Sequence, residues 1–362
     1  MTDRNLIFIV SQPRSGSTLL QSLLSNNSEV NTTSEPWILL PFLNIFDESL
    51  VEAKYNQGVA LDGFFDFIEK TDRGYAYKDR LKEFILSLYK PLLKDGIKYI
   101  IDKTPRYYHI LPIIKCFFPE AKIILLKRNP LAVIHSMIET WGESGTISDL
   151  AVLYEDIMDA PLLIQDFIDN SKDNSDHVME VFYEEVVNDP DNVVKKLYDW
   201  LELSYHTEVL DYSHNDKYKG IMGDPTGVQQ KSKPDKTSVD SWKERLNNPY
   251  WQDFYRGYVK EIGEGVLERF GYLVDIKGGP SEVFNEYQSQ NKILYYKQII
   301  NQRSMKVQPK ELYIKSLMHN LIEQKEKLGR SIKQLQKSFI WRITKPLRWI
   351  TSLLKKLLIS RH

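Results

Sequence analysis

The feature that most constrains this chain is a short turn between an apolar run and a helical pattern near the N-terminus. Residues 6–10 are all apolar, residues 11–18 read Ser-Gln-Pro-Arg-Ser-Gly-Ser-Thr, and leucines follow at positions 19, 20, 23 and 24. The apolar run predicts a strand, and the leucine spacing predicts one face of a helix. Strand, tight loop and helix N-terminus bring free backbone N–H groups and the positive end of the helix dipole to one point, which favours phosphate binding.

The loop departs from the pattern by which many proteins bind ATP. That pattern requires Gly at its first position and Lys before the closing Ser or Thr, whereas Ser11 and Ser17 occupy these positions. The strong cation of the loop is Arg14 instead. The loop therefore predicts binding of a phosphorylated nucleotide, by other contacts than those of the ATP-binding pattern.

Composition limits the fold and the classes of partner. The 362 residues, 42% of them hydrophobic, suffice for one large α/β domain and an extension. The net charge of −1 gives no reason to expect nucleic-acid binding. The only cysteine, Cys116, excludes an internal disulfide and a cysteine-based metal site, and the histidines lack metal-ligand spacing. No secretory or membrane-spanning apolar run is visible, so we expect a cytoplasmic protein without a required metal.

Short apolar runs alternate with helical stretches over the first three quarters of the chain. We predict strands at the positions 6–10, 98–102, 121–126 and 178–182, and helices at 17–26, 79–93, 106–117, 130–141, 150–170 and 190–201. Such alternation predicts an α/β fold, with a P-loop-like parallel sheet flanked by helices. Ligands of these sheets bind at the carboxyl ends of the strands, where the first loop lies.

The C-terminal quarter differs in composition and predicts an α-helical extension. We place a domain at residues 1–276, a linker at 277–281, a helical or coiled-coil extension at 282–338, and a basic amphipathic tail at 339–362. Apolar residues spaced by four and three within 314–339 indicate a stripe through which two copies could associate as a homo-oligomer. The tail combines Trp, Leu, Lys and Arg, which is typical of a helix at a membrane surface. Packing on its own domain or on a partner protein is the alternative.

Four further residues stand where they could carry chemistry. Arg128 follows a predicted strand and Ser136 lies on the next helix, so both could bind a second phosphate. Lys103 ends another strand, and Glu35 follows the first helix as a candidate acid–base group. Arg128, Lys103 and Glu35 each have a plain structural alternative: a surface arginine paired with a carboxylate, a solvated lysine, and a helix-capping or surface acid, respectively.

Together these motifs resemble the signature set of sulfotransferases that use 3′-phosphoadenosine-5′-phosphosulfate (PAPS). The stretches at 13–18 and 103–105, and Arg128 with Ser136, are most similar to those of tyrosylprotein sulfotransferases and related bacterial enzymes. The resemblance extends over about residues 1–245. It implies that Glu35, 21 residues after Arg14, is the catalytic base, and that Lys103 neutralises the leaving group.

The resemblance also implies which residues bind PAPS. The 5′-phosphosulfate is expected at the loop residues Arg14, Ser15, Gly16, Ser17 and Thr18. The 3′-phosphate is expected at Arg128 and Ser136. In the family a tyrosine contacts the nucleotide and a lysine of a later loop covers the phosphates; Tyr183 and Lys233 fit these positions best, with Lys236 as a rival to Lys233. The family often has a second arginine one turn after the serine, where this chain has Thr140.

The expected reaction is transfer of a sulfuryl group from PAPS to an acceptor hydroxyl. A saccharide, a lipid-linked glycan or a small alcohol is favoured over protein tyrosine, because the animal tyrosylprotein enzymes carry a membrane anchor and disulfides. The tail adds an expected peripheral contact with the cytoplasmic face of a membrane. A P-loop kinase and a non-catalytic membrane-associated scaffold are the alternatives. Ser17 in place of lysine counts against the kinase, and the complete residue set counts against the scaffold.

Overall fold

A five-stranded parallel sheet forms the centre of the fold, with the strand order β2-β3-β1-β4-β5. The computed structural model describes residues 1–43, 55–72, 75–171, 176–215, 217, 232–272 and 280–289. The strands are β1 (Leu6–Ser11), β2 (Val30–Thr32), β3 (Tyr99–Lys103), β4 (Lys122–Lys127) and β5 (Val178–Phe182). The predicted α/β fold with a parallel sheet is confirmed, and β2 is the strand that the sequence did not predict, because three residues are too short for a periodicity.

The helices surround this sheet. They are α1 (Ser17–Ser25), α2 (Leu39–Leu43), α3 (Gln57–Asp72), α4 (Tyr75–Tyr89), α5 (Leu111–Phe117), α6 (Pro130–Trp141), α7 (Tyr154–Asn170), α8 (Tyr183–Asn188), α9 (Pro190–Trp200), α10 (Pro249–Ile262) and α11 (Glu264–Phe270). The helix predicted at 106–117 is divided into a 3-10 helix, Pro105–Ile110, and α5. Pro112 explains the division, because proline lacks an N–H and fits only the first turn of a helix.

The register of the strands determines where their ends meet. Ile9 pairs with Lys103 across β1 and β3, and Ser11 pairs with Leu126 across β1 and β4. All residues of β1 and β3 are buried, as expected for strands that are covered on both faces. The carboxyl ends of β1, β3 and β4 therefore lie at one edge of the sheet. There β1 has β3 on one side and β4 on the other, so the chain connections run in opposite directions and leave a crevice. Such a crevice is the usual ligand site of an open α/β sheet.

Two apolar layers cover the sheet. Phe8 and Leu125 pack with α5 and α7 on one face, and Ile7 and Ile9 pack with α1 and α9 on the other. Burial of each such side chain contributes about 1.5–3 kcal/mol. These layers fix the strands, and through them the residues at their carboxyl ends.

A third apolar cluster joins α6 to α10. Phe284 and Tyr287, from the start of the predicted extension, pack into this cluster. Residues 290–362, with most of the predicted extension and the whole predicted tail, lie outside the described residues. Within the described part, no helix has the length and apolar character needed to cross a bilayer.

Candidate active site

The loop between β1 and α1 has the tight geometry that its sequence predicts. Gly16 has φ = 89° and Arg14 has φ = 68°, both left-handed. A Cβ on Gly16 would collide with the ring of Tyr183, so only glycine fits this approach of loop and ring. The Ser15 Oγ is buried and has no hydrogen-bond partner among the described residues. A buried polar atom of this kind, at a helix N-terminus, suits an anion that accepts hydrogen bonds.

Lys103 and Glu35 meet at this loop. The Lys103 side chain is 1% exposed, and its Nζ lies 2.6 Å from Glu35 Oε1. The same Nζ donates to Thr18 Oγ1 at 3.2 Å. Lys103 therefore joins the first turn of α1 to a carboxylate that is itself 14% exposed. The structure brings together three residues that the sequence analysis proposed separately.

Trp37 fixes the second oxygen of the same carboxylate. Its indole Nε1 donates to Glu35 Oε2 at 3.2 Å. Trp37 has φ = 53°, a left-handed backbone that is unfavourable for a bulky residue. Since Lys103 and Trp37 bind different oxygens of Glu35, the carboxylate is held in one orientation. The sequence indicated Trp37 only as a neighbour of Glu35, not as its hydrogen-bond donor.

Arg106 and Asp156 complete this side and were missed by the sequence analysis. The Arg106 guanidinium lies 5.6 Å from the centre of the Trp37 ring. It binds Asp156 as a fork, with Nε 2.9 Å from Oδ1 and Nη2 2.5 Å from Oδ2. Tyr108 donates to Asp156 Oδ1, and the Asp156 carbonyl accepts from Gln12 at the start of the loop. Arg106 directly follows the Lys103 motif, which was the available signal; Asp156 had none, since its partners are distant in sequence.

A buried carboxylate lies behind Lys103. Asp102 accepts hydrogen bonds from Tyr89, Tyr107 and Thr104. Burial outweighs these bonds and raises the pKa of Asp102 to about 6. The Tyr107 hydroxyl also accepts from the backbone N–H of Leu39, which lies two residues after Trp37. Asp102 thus anchors the segment that carries Glu35 and Trp37.

Arg128, at the end of β4, lies beneath the loop. Its Nη1 donates to the Arg14 carbonyl at 2.8 Å, and its Nη2 donates to the Ser238 carbonyl at 2.7 Å. The guanidinium stacks 4.4 Å from the centre of the Tyr183 ring and Arg128 is 5% exposed. Burial lowers the pKa of Arg128 from its ordinary value. In this position Arg128 ties the loop to the segment around Ser238.

Arg14 directs its side chain to α6. Its Nε lies 3.4 Å from Ser136 Oγ, and its Cζ lies 5.8 Å from the centre of the Trp141 ring. The two residues proposed for two different phosphates, Arg14 and Ser136, are therefore adjacent.

Tyr183 and Lys233 have different positions relative to this site. The Tyr183 hydroxyl is hydrogen-bonded to Ser238 Oγ at 2.6 Å, and its ring packs on Gly16 and Arg128. Lys233 lies near Asp211, whose pKa is held below its ordinary value mainly by Ser213 and further by Lys233. Within the described residues, no hydrogen bond connects Lys233 to the loop, so its assignment stays a prediction. Residues 218–231 lie outside the described part.

A metal-ion site was not expected. Across the described ranges, no cluster of three or more His, Cys, Asp or Glu side chains has metal-binding geometry. The cations around the loop are side chains: Lys103, Arg14 and Arg128.

Comparison with known proteins shows the family of the chain. The model of the sulfotransferase family matches residues 6–207, more than half of the chain. The nodulation protein NoeE of Sinorhizobium fredii is 28% identical over 286 residues, which cover 74% of this chain and 66% of NoeE. Protein-tyrosine sulfotransferase 1 of Danio rerio is 25% identical, over 61% of this chain and 59% of its own. The chain therefore spans less than two thirds of the length of either relative, 66% of NoeE and 59% of the Danio rerio protein.

A solved structure supports the fold. The sulfotransferase domain from the curacin biosynthetic pathway aligns with a TM-score of 0.51 at 23% identity, over 74% of this chain and 98% of that domain.

Proposed function

Because this chain belongs to the sulfotransferase family, we propose that it transfers a sulfuryl group from PAPS to the hydroxyl group of an acceptor. The observation that carries the proposal is the position of Lys103, which contacts both the loop, through Thr18, and the carboxylate of Glu35. One cation thereby joins a phosphate-binding loop to a candidate base.

The reaction is an in-line displacement at sulfur. The acceptor oxygen forms a bond to sulfur while the bond from sulfur to the bridging phosphate oxygen breaks. The bridging oxygen leaves with 3′-phosphoadenosine-5′-phosphate (PAP) and carries negative charge that Lys103 neutralises. Glu35 takes the proton of the acceptor hydroxyl. By analogy with phosphoryl transfer, the protein contributes positioning and fixed charge.

We define the donor side of the site as the loop Arg14–Thr18 with Arg128, Ser136 and Tyr183. These residues fit a nucleotide whose ribose carries a phosphate at both its 3′ and its 5′ position. The buried Ser15 Oγ suits the 5′-phosphosulfate, and so does the close contact between the loop and the Tyr183 ring that Gly16 permits. Ser136, beside a guanidinium, suits the 3′-phosphate.

We define the acceptor side as Glu35, Trp37, Arg106 and Asp156. Trp37 offers an aromatic surface next to the base, and Arg106 holds a fork geometry beside it. An aromatic face next to a carboxylate base suits a ring that carries a hydroxyl group. A saccharide, a lipid-linked glycan or a small alcohol remains the proposed acceptor, in preference to protein tyrosine, on the sequence argument given above.

Transfer of labelled sulfate from PAPS tests the proposal. The full chain is incubated with radiolabelled PAPS and a panel of saccharides, lipid-linked glycans, small alcohols and tyrosine peptides, together with a lysate of the source cell. We expect label in a saccharide or alcohol product. Label in tyrosine peptides alone would overturn the acceptor class, and absence of transfer despite PAP binding would favour the non-catalytic scaffold.

We also propose that the C-terminal region adds contacts to this activity: a homo-oligomer through 282–338 and a membrane surface through 339–362, on a cytoplasmic protein. The support is the sequence pattern alone. Leu328→Asp in the full chain is expected to dissociate the oligomer in sedimentation. Trp341→Ser with Trp349→Ser is expected to abolish co-sedimentation with anionic vesicles, with neutral vesicles as the control. Unchanged sedimentation in either experiment contradicts the corresponding contact.

A further inference from the structure

We propose that Trp37 positions the base of the transfer reaction. Its indole N–H holds Glu35 through Oε2, so that Oε1 is the oxygen that takes the proton of the acceptor hydroxyl while Lys103 moves to the leaving group. The proposal rests on the proposed function, since it assumes that Glu35 is the base and that Lys103 neutralises the bridging oxygen. It assigns different tasks to the two oxygens of one carboxylate.

The first support is that Lys103 changes its partner in the proposed reaction. Its Nζ lies 2.6 Å from Glu35 Oε1 and 3.2 Å from Thr18 Oγ1. As sulfur passes to the acceptor oxygen, the acceptor proton goes to the carboxylate, and the electron pair of the broken bond stays on the bridging oxygen. Negative charge thereby leaves Glu35 and develops on the leaving group, and the ammonium follows this charge. The contact with Lys103 therefore does not fix the carboxylate when the proton arrives.

The second support is that the contact with Trp37 does not depend on this charge. Trp37 Nε1 donates to Glu35 Oε2 at 3.2 Å, and an indole N–H is a donor that carries no charge. Among the described residues, Lys103 and Trp37 are the two side chains that hydrogen-bond Glu35. Trp37 thus keeps the carboxylate in place after Lys103 has left Oε1. This oxygen lies on the side of Lys103 and Thr18, where the 5′-phosphosulfate is expected.

The third support is that Trp37 is itself held in place. Its backbone is left-handed at φ = 53°, a conformation that a bulky residue keeps only where its surroundings stabilise it. The Arg106 guanidinium lies 5.6 Å from the centre of the ring, and the buried Asp156 binds Arg106 as a fork. The indole cannot turn away from Glu35 without losing its contact with Arg106. An unfavourable backbone beside a candidate base fits a positioning role.

Kinetics of Trp37→Phe test the proposal, because phenylalanine keeps an aromatic ring but has no N–H. We expect kcat to fall about tenfold to hundredfold, since a hydrogen bond to a charged group is lost. The KM for PAPS and the dissociation constant of PAP are expected to stay within about twofold, because the loop keeps its contacts. Trp200→Phe is the matched control, with unchanged kcat. Trp200 also donates its indole N–H at 3.2 Å and stacks on Lys122, at the opposite end of β4 from Arg128.

The pH profile of kcat separates positioning from packing. Removal of an N–H from an ionised carboxylate disfavours the charged form, so the acid limb of the Trp37→Phe profile is expected to move up by about one pH unit. Lys103, Arg106 and the buried Asp102 also act on the charge of Glu35. All three remain in the variant, so the shift reports the indole N–H. A role in packing alone would lower kcat without moving the acid limb.

A rescue variant provides an independent readout. Trp37→His again offers an N–H, and histidine tolerates a left-handed backbone better than most residues. At about pH 8, where imidazole is neutral, its kcat is expected to exceed that of Trp37→Phe several-fold, with circular dichroism confirming that both variants are folded.

Three results would overturn the proposal: an unchanged kcat in Trp37→Phe, a fall of kcat without a shift of the acid limb, or a change confined to the KM for the acceptor. Equal kcat values of folded Trp37→His and Trp37→Phe would contradict it as well. A wild-type chain that transfers no sulfuryl group from PAPS would instead overturn the proposed function.

Discussion

On the donor side, backbone groups and strand-end residues converge because β1, β3 and β4 are parallel neighbours. On the acceptor side, Glu35, Trp37, Arg106 and Asp156 come from three separate segments and hold one another by their side chains. The donor side is therefore fixed by the sheet, whereas the acceptor side is fixed by a network. A fold of this kind can keep its donor while its acceptor network changes.

The largest expected effect separates chemistry from donor binding. Glu35→Gln keeps the shape of the side chain but removes the base, so kcat is expected to fall about 10²–10⁴-fold. PAP binding is expected to be retained, because the loop, Arg128 and Ser136 keep their contacts. Glu202→Gln is the matched control, since Glu202 also pairs with a lysine but is 84% exposed. Full turnover of Glu35→Gln would remove Glu35 as the base without affecting the donor assignment.

The second prediction concerns Asp102, the buried carboxylate that anchors the segment of Glu35 and Trp37. Asp102 has a pKa of about 6 in the folded chain against an ordinary 3.8. The folded protein thus holds this proton more tightly than the unfolded chain, and ionisation costs stability as pH rises through this range. The cost is about 3 kcal/mol above pH 6.

Asp102→Asn cannot ionise and isolates this contribution. The free energy of unfolding of Asp102→Asn, minus that of the wild type, is expected to increase by about 2 kcal/mol between pH 4 and pH 7. Urea unfolding at a series of pH values measures this difference. A difference that does not change with pH would mean that Asp102 titrates normally.

The third prediction addresses the donor side alone. Gly16→Ala adds a Cβ at φ = 89° that collides with the Tyr183 ring. Gly96→Ala is the matched control, because Gly96 has φ = 80° but open space around its Cβ position. Gly16→Ala is expected to lose about 1–3 kcal/mol more stability than the control and to weaken PAP binding. Equal behaviour of the two variants would show that the contact between loop and ring is unimportant.

The smallest expected effect lies on the acceptor side. Arg106→Lys keeps the charge but loses the fork on Asp156, so the acceptor kcat/KM is expected to fall about tenfold while the KM for PAPS is unchanged. Arg245→Lys serves as control, since Arg245 also pairs with a carboxylate and stacks 4.9 Å from a tryptophan ring, away from Glu35. A rise in the KM for PAPS in Arg106→Lys would mean that the two sides are not separable.

The difference between the two sides also explains what the sequence could predict. The loop, Lys103 and Arg128 stand at the ends of predicted strands, and parallel strands bring such positions to one edge of a sheet. Asp156 lies within α7, and the apolar pattern of a helix indicates only which of its faces is buried. Nothing in the neighbouring sequence therefore indicates that Asp156 pairs with Arg106. Arg14 is visible as the cation of the loop, but the direction of its side chain depends on a left-handed backbone and on Arg128, 114 residues away.

The loop at 11–18 is proposed to bind a nucleotide whose ribose carries phosphate at both its 3′ and its 5′ position, and not ATP. Calorimetric titration of the full chain with PAP and, separately, with ATP and Mg²⁺ distinguishes these ligands. We expect binding of PAP, with an affinity that falls when Ser136 is replaced by alanine, and no comparable binding of ATP. Binding of ATP without binding of PAP would contradict it.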